Sequence, residues 1–171
     1  MDETLSELQK CIEGLSVEYD SLSQVMKLER EFLIHADVEQ LSESNRLKES
    51  MIWKIRDLDI QRQNLSQRMG KSLAMPHPEP RLLELAQQLV KIHRPREAEV
   101  LRALHRELEQ LIQKVAMQNK ENEIYAENGL RMVRGAMDDV RTYFAKARTY
   151  QRKGQISESQ EKSGNFVSRE A

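Results

Sequence analysis

From Leu5 to Leu33, apolar side chains return at steps of three and four: Leu5, Leu8, Ile12, Leu15, Tyr19, Leu22, Met26 and Leu33. This is the a/d repeat of a helix that buries a narrow seam. One seam position is charged, at Glu29. The register resets around HADVEQL, where Asp37 is placed to cap a new helix, with Gln40 three residues on as its reciprocal partner. The second helix carries Val38, Leu41, Leu47, Met51, Ile52, Ile55, Leu58, Leu65 and Met69, with Lys48 and Arg62 on or beside that face. So short a connection makes the two helices antiparallel neighbours. Arms of roughly 33 residues at ~1.5 Å rise are about 50 Å long.

Gly70 is the expected end of the second helix, and MPHPEP (75–80) is too rich in proline to be helical. RLLELAQQLVKIH (81–93) offers a short stripe of Leu82, Leu85, Leu89 and Ile92. Pro95 either breaks that stripe or starts a fresh helix at its first turn. No proline follows to the end of the chain, and Leu101, Leu104, Leu108, Leu111 and Val115 form a long seam. The same face then carries Gln118, Asn119 and Asn122 before a second stripe of Met132, Val133, Ala136, Met137, Val140 and Phe144. Asn128-Gly129 is the expected stop between the two stripes.

These signals predict an all-α fold: an elongated antiparallel bundle of three to four long helices with coiled-coil-like packing. The helices are expected at about 2–34, 37–70, 81–93, 96–127 and 130–152, the last two broken or continuous, in one domain spanning 1–152. Residues 153–171 lack any apolar period and are rich in serine, glycine and charge, the composition of a disordered tail.

Composition agrees with that reading. Of the 171 residues, 32% are charged and only 5% aromatic, with six glycines and four prolines, too few strand and turn formers for sandwiches or barrels. The net charge of −1 gives the whole chain no bias toward nucleic acid. Its distribution is uneven: residues 1–34 balance at −5 and residues 129–154 at +5, which reads as two solvated faces or an interaction surface. The lone Cys11 excludes an internal disulfide, the acidic amphipathic N-terminus is unlike a signal peptide, and a cytoplasmic chain is the expectation.

Chemistry finds no foothold. His35, His77, His93 and His105 are scattered without metal-ligand spacing, and no phosphate loop or nucleophile elbow is present. Neither catalysis nor a metal nor a cofactor is expected. A nucleic-acid role for the basic stretch at 141–154 lacks interleaved aromatics beyond Tyr143, Phe144 and Tyr150.

Two features remain. Amides in a helical seam cost stability unless hydrogen-bonded, and their best-attested use is to fix register or partner choice. Asn119 and Asn122 therefore either lock the bundle or touch a ligand. The methionine-rich stripe after them either fills a core or accommodates another protein's helix.

LEREFLIHADVEQLSESNRLKESMIWKI, NKENEIYAENG and RTYQRKGQ together resemble the FlgN-type flagellar export chaperones. The matching positions are Glu29, Asp37, Leu41 and Lys48, the asparagine pair Asn119 and Asn122, and Tyr150 and Gly154 near the end. Ile124-Tyr125-Ala126 stands where many members carry leucine, and the tail is longer and more serine-rich than theirs. The resemblance implies a cytoplasmic chaperone, without nucleotide, for hook–filament junction proteins of the FlgK/FlgL type. It would bind the client's amphipathic C-terminal helix and deliver the client to the type III export gate, with Tyr150 and Gly154 as the gate contact. The alternative is a coiled-coil scaffold whose last stripe is buried in a homodimer.

Overall fold

A computed structural model of the chain describes residues 1–149. It contains four helices: α1 (Asp2–His35), α2 (Val38–Ser72), α3 (Leu82–Lys91) and α4 (Pro95–Thr149). The chain divides into two units, Met1–Asn128 and the part from Gly129 onward. The expected tail at 153–171, with Tyr150 and Gly154, lies outside the described residues.

In the first unit α1 and α2 form an antiparallel pair, as their cross-helix contacts show. Arg68 reaches Glu7, the Cys11 thiol donates to the Leu58 carbonyl at 3.2 Å, and Lys48 pairs with Glu29. α4 lies along α1 in the parallel sense: Arg94 pairs with Asp2, Lys114 with Asp20 and Arg30 with Glu121. α2 is thus antiparallel to both other long helices.

The seam expected on α1 is the heart of the core. Leu5, Leu8, Ile12, Leu15, Leu22 and Met26 are buried, with Tyr19 packed against them. α4 adds Ala98, Leu101, Leu108 and Val115, and α3 closes the cluster with Leu82, Leu85, Ala86 and Leu89. The α2 face differs from the expectation. Ile55 and Met69 are buried and Leu41, Met51, Leu58 and Leu65 partly so, but Val38, Leu47 and Ile52 are exposed. The inward positions are instead filled by Ser44, Lys48 and Arg62, which continue the three-four spacing of Met51, Ile55, Leu58, Leu65 and Met69. Apolar identity misled there, because spacing and not hydrophobicity decides which side of a helix faces in.

The helix ends depart from expectation for one shared reason. Ala36, Ala74 and His93 have left-handed backbones, with φ of 53°, 53° and 61°. Each donates its N–H three residues back, to Leu33, Lys71 and Val90 respectively. The next N–H in each case reaches five residues back, to Phe32, Gly70 and Leu89. This pattern satisfies the orphan carbonyls of a helix terminus and usually has glycine at the left-handed position. None of the three is glycine. α2 therefore runs past Gly70 to Ser72, and α3 spans Leu82–Lys91 inside the expected 81–93.

Gly70 serves packing. A Cβ at this position would stand 2.7 Å from Cγ of Pro80, so the glycine admits the 75–80 loop against α2. At the start of α2, Asp37 Oδ1 accepts from the Gln40 N–H at 3.1 Å. The reciprocal arm of the expected box is not made, since the Asp37 N–H is given to Phe32. Pro95 opens α4 as its first residue, where its missing N–H costs nothing. Arg94 beside it holds the Asp2 and Glu97 carboxyls below the usual carboxylate range through hydrogen bonds. Of the two arrangements left open for the last helices, broken or continuous at Asn128-Gly129, α4 shows the continuous one and runs to Thr149.

Two substitutions test these ends. Ala36→Gly removes a left-handed strain of about 1–2 kcal/mol while loosening the unfolded chain by about 0.4–1 kcal/mol. The expected net gain is about 0.5–1 kcal/mol, read as a higher urea midpoint with unchanged slope. Gly70→Ala is expected to destabilise despite alanine's helix preference of about 1 kcal/mol, because overpacking against Pro80 costs about 1–3 kcal/mol. A midpoint raised by Gly70→Ala would contradict that packing role.

Candidate functional site

On α4, Leu101, Leu108, Val115 and Asn122 recur every seven residues and all four are buried. Asn122 thus occupies a core position of the α4 seam, as Glu29 does on α1. The two intruders meet. Asn122 Nδ2 donates to the Glu29 carboxylate at 2.8 Å and to the Met26 carbonyl at 2.7 Å, so both of its N–H groups are used. The other Glu29 oxygen takes the Lys48 ammonium from α2. One carboxylate, 8% exposed as a residue, therefore ties three helices together.

Asn119 parts from its sequence partner. It is exposed and lines an open pocket beside the layer, together with Leu33, Leu41, Asn45, Glu123 and Ala126. Arg30 flanks the layer, paired with Glu121 and lying 5.3 Å from the centre of the Tyr125 ring. Of the positions that carry the family resemblance, Glu29, Lys48 and Asn122 form the buried network. Leu41 and Asn119 line the pocket over it, and Asp37 caps α2.

Past Asn122, every residue of α4 through Ala145 is exposed. This includes Met132 (77%), Val133, Ala136, Met137, Val140 and Phe144 (63%). The stripe is better described with Leu130 and Tyr143, which the reading of the sequence left out and which are exposed too. Leu130, Val133, Met137, Val140 and Phe144 follow a strict three-four alternation, and that spacing was the available signal. Tyr143 and Phe144 meet edge to face with ring centres 5.8 Å apart. Among the described residues no cluster of His, Cys, Asp and Glu could hold a metal ion, and no helix is long and apolar enough to cross a membrane.

The polar layer makes a stability prediction. Lys48→Met strands a largely buried carboxylate and is expected to cost on the order of 3 kcal/mol. Replacing the layer as a whole, Glu29→Leu with Lys48→Met and Asn122→Leu, is expected to recover most of that loss. Chemical denaturation of the single and triple variants reads the difference. A triple variant no more stable than Lys48→Met would show that the three groups do not act as one unit.

No curated protein and no solved structure matches the chain. The family model described as FlgN protein matches residues 1–158 and so spans the bundle, the polar layer and the exposed seam. With that coverage, the chain belongs to the FlgN family of flagellar export chaperones, which is not a family of enzymes.

Proposed function

We propose that this chain binds the amphipathic C-terminal helix of hook–filament junction proteins of the FlgK/FlgL type. It does so in the cytoplasm, shields that helix from premature self-assembly, and hands the client to the type III export gate. One observation carries this reading. Leu130, Val133, Met137, Val140 and Phe144 form a heptad seam on a helix and are exposed at every position. A seam of this spacing is shaped for another helix, and helix-in-groove recognition reads out the same steps of three and four. Methionine at Met137 suits a surface that must accept more than one client sequence.

The client contacts are assigned to Met132, Val133, Ala136, Met137, Val140 and Phe144. Asn122 serves the bundle and not the client, since both its donors are spent on α1. The gate contact is assigned to Tyr150 and Gly154, on the family resemblance alone.

Two experiments test the assignments. The double variant Met137→Asp, Phe144→Asp puts charge into the middle and end of the seam, and a central apolar anchor is worth about 2 kcal/mol or more. Co-purified client is expected to fall at least about tenfold, with the urea midpoint of the bundle unchanged. Normal client yield would remove the seam from the client-binding role. For the gate, Tyr150→Ala is expected to bind client normally while export and motility fall; full motility would refute that contact.

A further inference from the structure

The flanks of the exposed seam differ from one another. With Leu130, Met137 and Phe144 as a positions and Val133 and Val140 as d, the e positions are Arg134, Arg141 and, in sequence, Arg148. The g positions on the other side are Gly129, Ala136 and Tyr143. One edge of the seam is therefore a row of arginines at seven-residue spacing, and the other is small or uncharged. The acidic residues of this stretch, Asp138 and Asp139, fall at b and c, on the polar side.

Among the described residues little answers Arg134 and Arg141. Arg134 makes no ion pair among the described residues. Arg141 has only a loose exposed contact with Asp138 at 3.6 Å, the kind that contributes about 0–1 kcal/mol. Charges at e and g are the positions that choose a coiled-coil partner and its orientation. We infer that the seam selects a foreign helix whose apolar heptads carry acidic residues on the flank that meets Arg134 and Arg141. The inference rests on the client-binding reading of this seam and adds the class of helix it takes.

A second copy of this chain fits poorly. In an antiparallel pair e faces e, which sets Arg134 of one copy against Arg141 of the other at the centre of the seam. In a parallel pair e faces g, which sets arginine against Gly129, Ala136 or Tyr143 and gains no opposite charge. A membrane fits poorly as well. Helices that lie on anionic lipid spread their cations over a polar face above a broad apolar one. Here the apolar stripe is narrow, Arg134 and Arg141 line one edge of it, and the polar side carries two carboxylates beside Arg131. On the uncharged edge, a Cβ added at Gly129 would meet nothing within 4 Å, which leaves room for a partner backbone to come close.

The test uses two labelled synthetic helices with the same leucine heptad seam, one with glutamate at every flanking position and one with lysine. Their binding to the full-length chain is followed by fluorescence anisotropy at low and high salt, with a FlgK/FlgL-type client helix measured alongside. The glutamate helix is expected to bind about tenfold tighter at low salt, with the gap narrowing as salt rises. Arg134→Glu with Arg141→Glu is expected to invert the preference, and Arg134→Gln with Arg141→Gln to flatten it; circular dichroism confirms that each variant keeps its helix.

Equal binding of the two helices, no binding of either, or an unchanged preference in the charge-reversed variant would overturn the inference. So would a dimer through this seam in sedimentation, or seam-dependent binding to vesicles of equal parts phosphatidylcholine and phosphatidylglycerol. If the client helix binds while the synthetic pair is not discriminated, the charge rule fails and the client reading survives. If discrimination holds and the client helix does not bind, the reverse is true.

Discussion

A carboxylate inside a helical seam must be answered on every side, and Glu29 is answered by two different helices. Lys48 neutralises it from α2 and Asn122 hydrogen-bonds it from α4. Apolar heptads alone tolerate sliding by whole repeats, since one leucine layer fits nearly as well as the next. A single polar layer does not, because any slip leaves a buried charge without a partner at a cost of several kcal/mol. Glu29, Lys48 and Asn122 therefore set which residue of α4 stands beside which residue of α1. Everything described for the first unit, from the Asp2–Arg94 pair to the position of Asn122 itself, depends on that register.

The layer also marks where burial of α4 ends among the described residues. Asn122 is the last buried residue on α4 among those described. Beyond it the helix continues, and a second apolar seam runs in a frame displaced by one residue from the first. Positions 101, 108, 115 and 122 give way to 130, 137 and 144. Amides in the middle of a leucine pattern and a frame shift just after them fall together in the sequence: the upstream seam packs against α1, and the downstream seam is exposed.

Much of this was legible without coordinates. The α1 seam, the Asp37 cap and both polar intruders follow from spacing and side-chain chemistry, and Pro95 takes the second of the two roles open to it, the start of a fresh helix. That Glu29 and Asn122 meet was not legible, since two odd residues 93 positions apart give no sign of being partners until three helices are placed. The helix ends were hidden for a different reason. Glycine is the usual marker of a left-handed terminus, and here Ala36, Ala74 and His93 hold that conformation, while Gly70 and Gly129 lie inside helices. The Asn128-Gly129 pair costs a helix about 1 kcal/mol. Helix formers on both sides, Ala126 and Glu127 before it and Leu130, Arg131 and Met132 after it, outweigh that cost, and α4 runs on to Thr149. The exposed seam was found, but its outline was drawn from hydrophobic residues and not from the heptad. Leu130 and the arginine row were missed for that reason.

The central claim is that self-packing of α4 ends near Asn122 and that the seam beyond it is left for a partner. Hydrogen exchange of the backbone amides along α4, with and without a client helix, tests this most directly. The account predicts strong protection over 98–122, a step down to weak protection over 130–145 in the free chain, and a gain confined to the second stretch on binding. Uniform protection along α4 in the free monomer, or a gain that falls on 98–122 and spares 130–145, would contradict it.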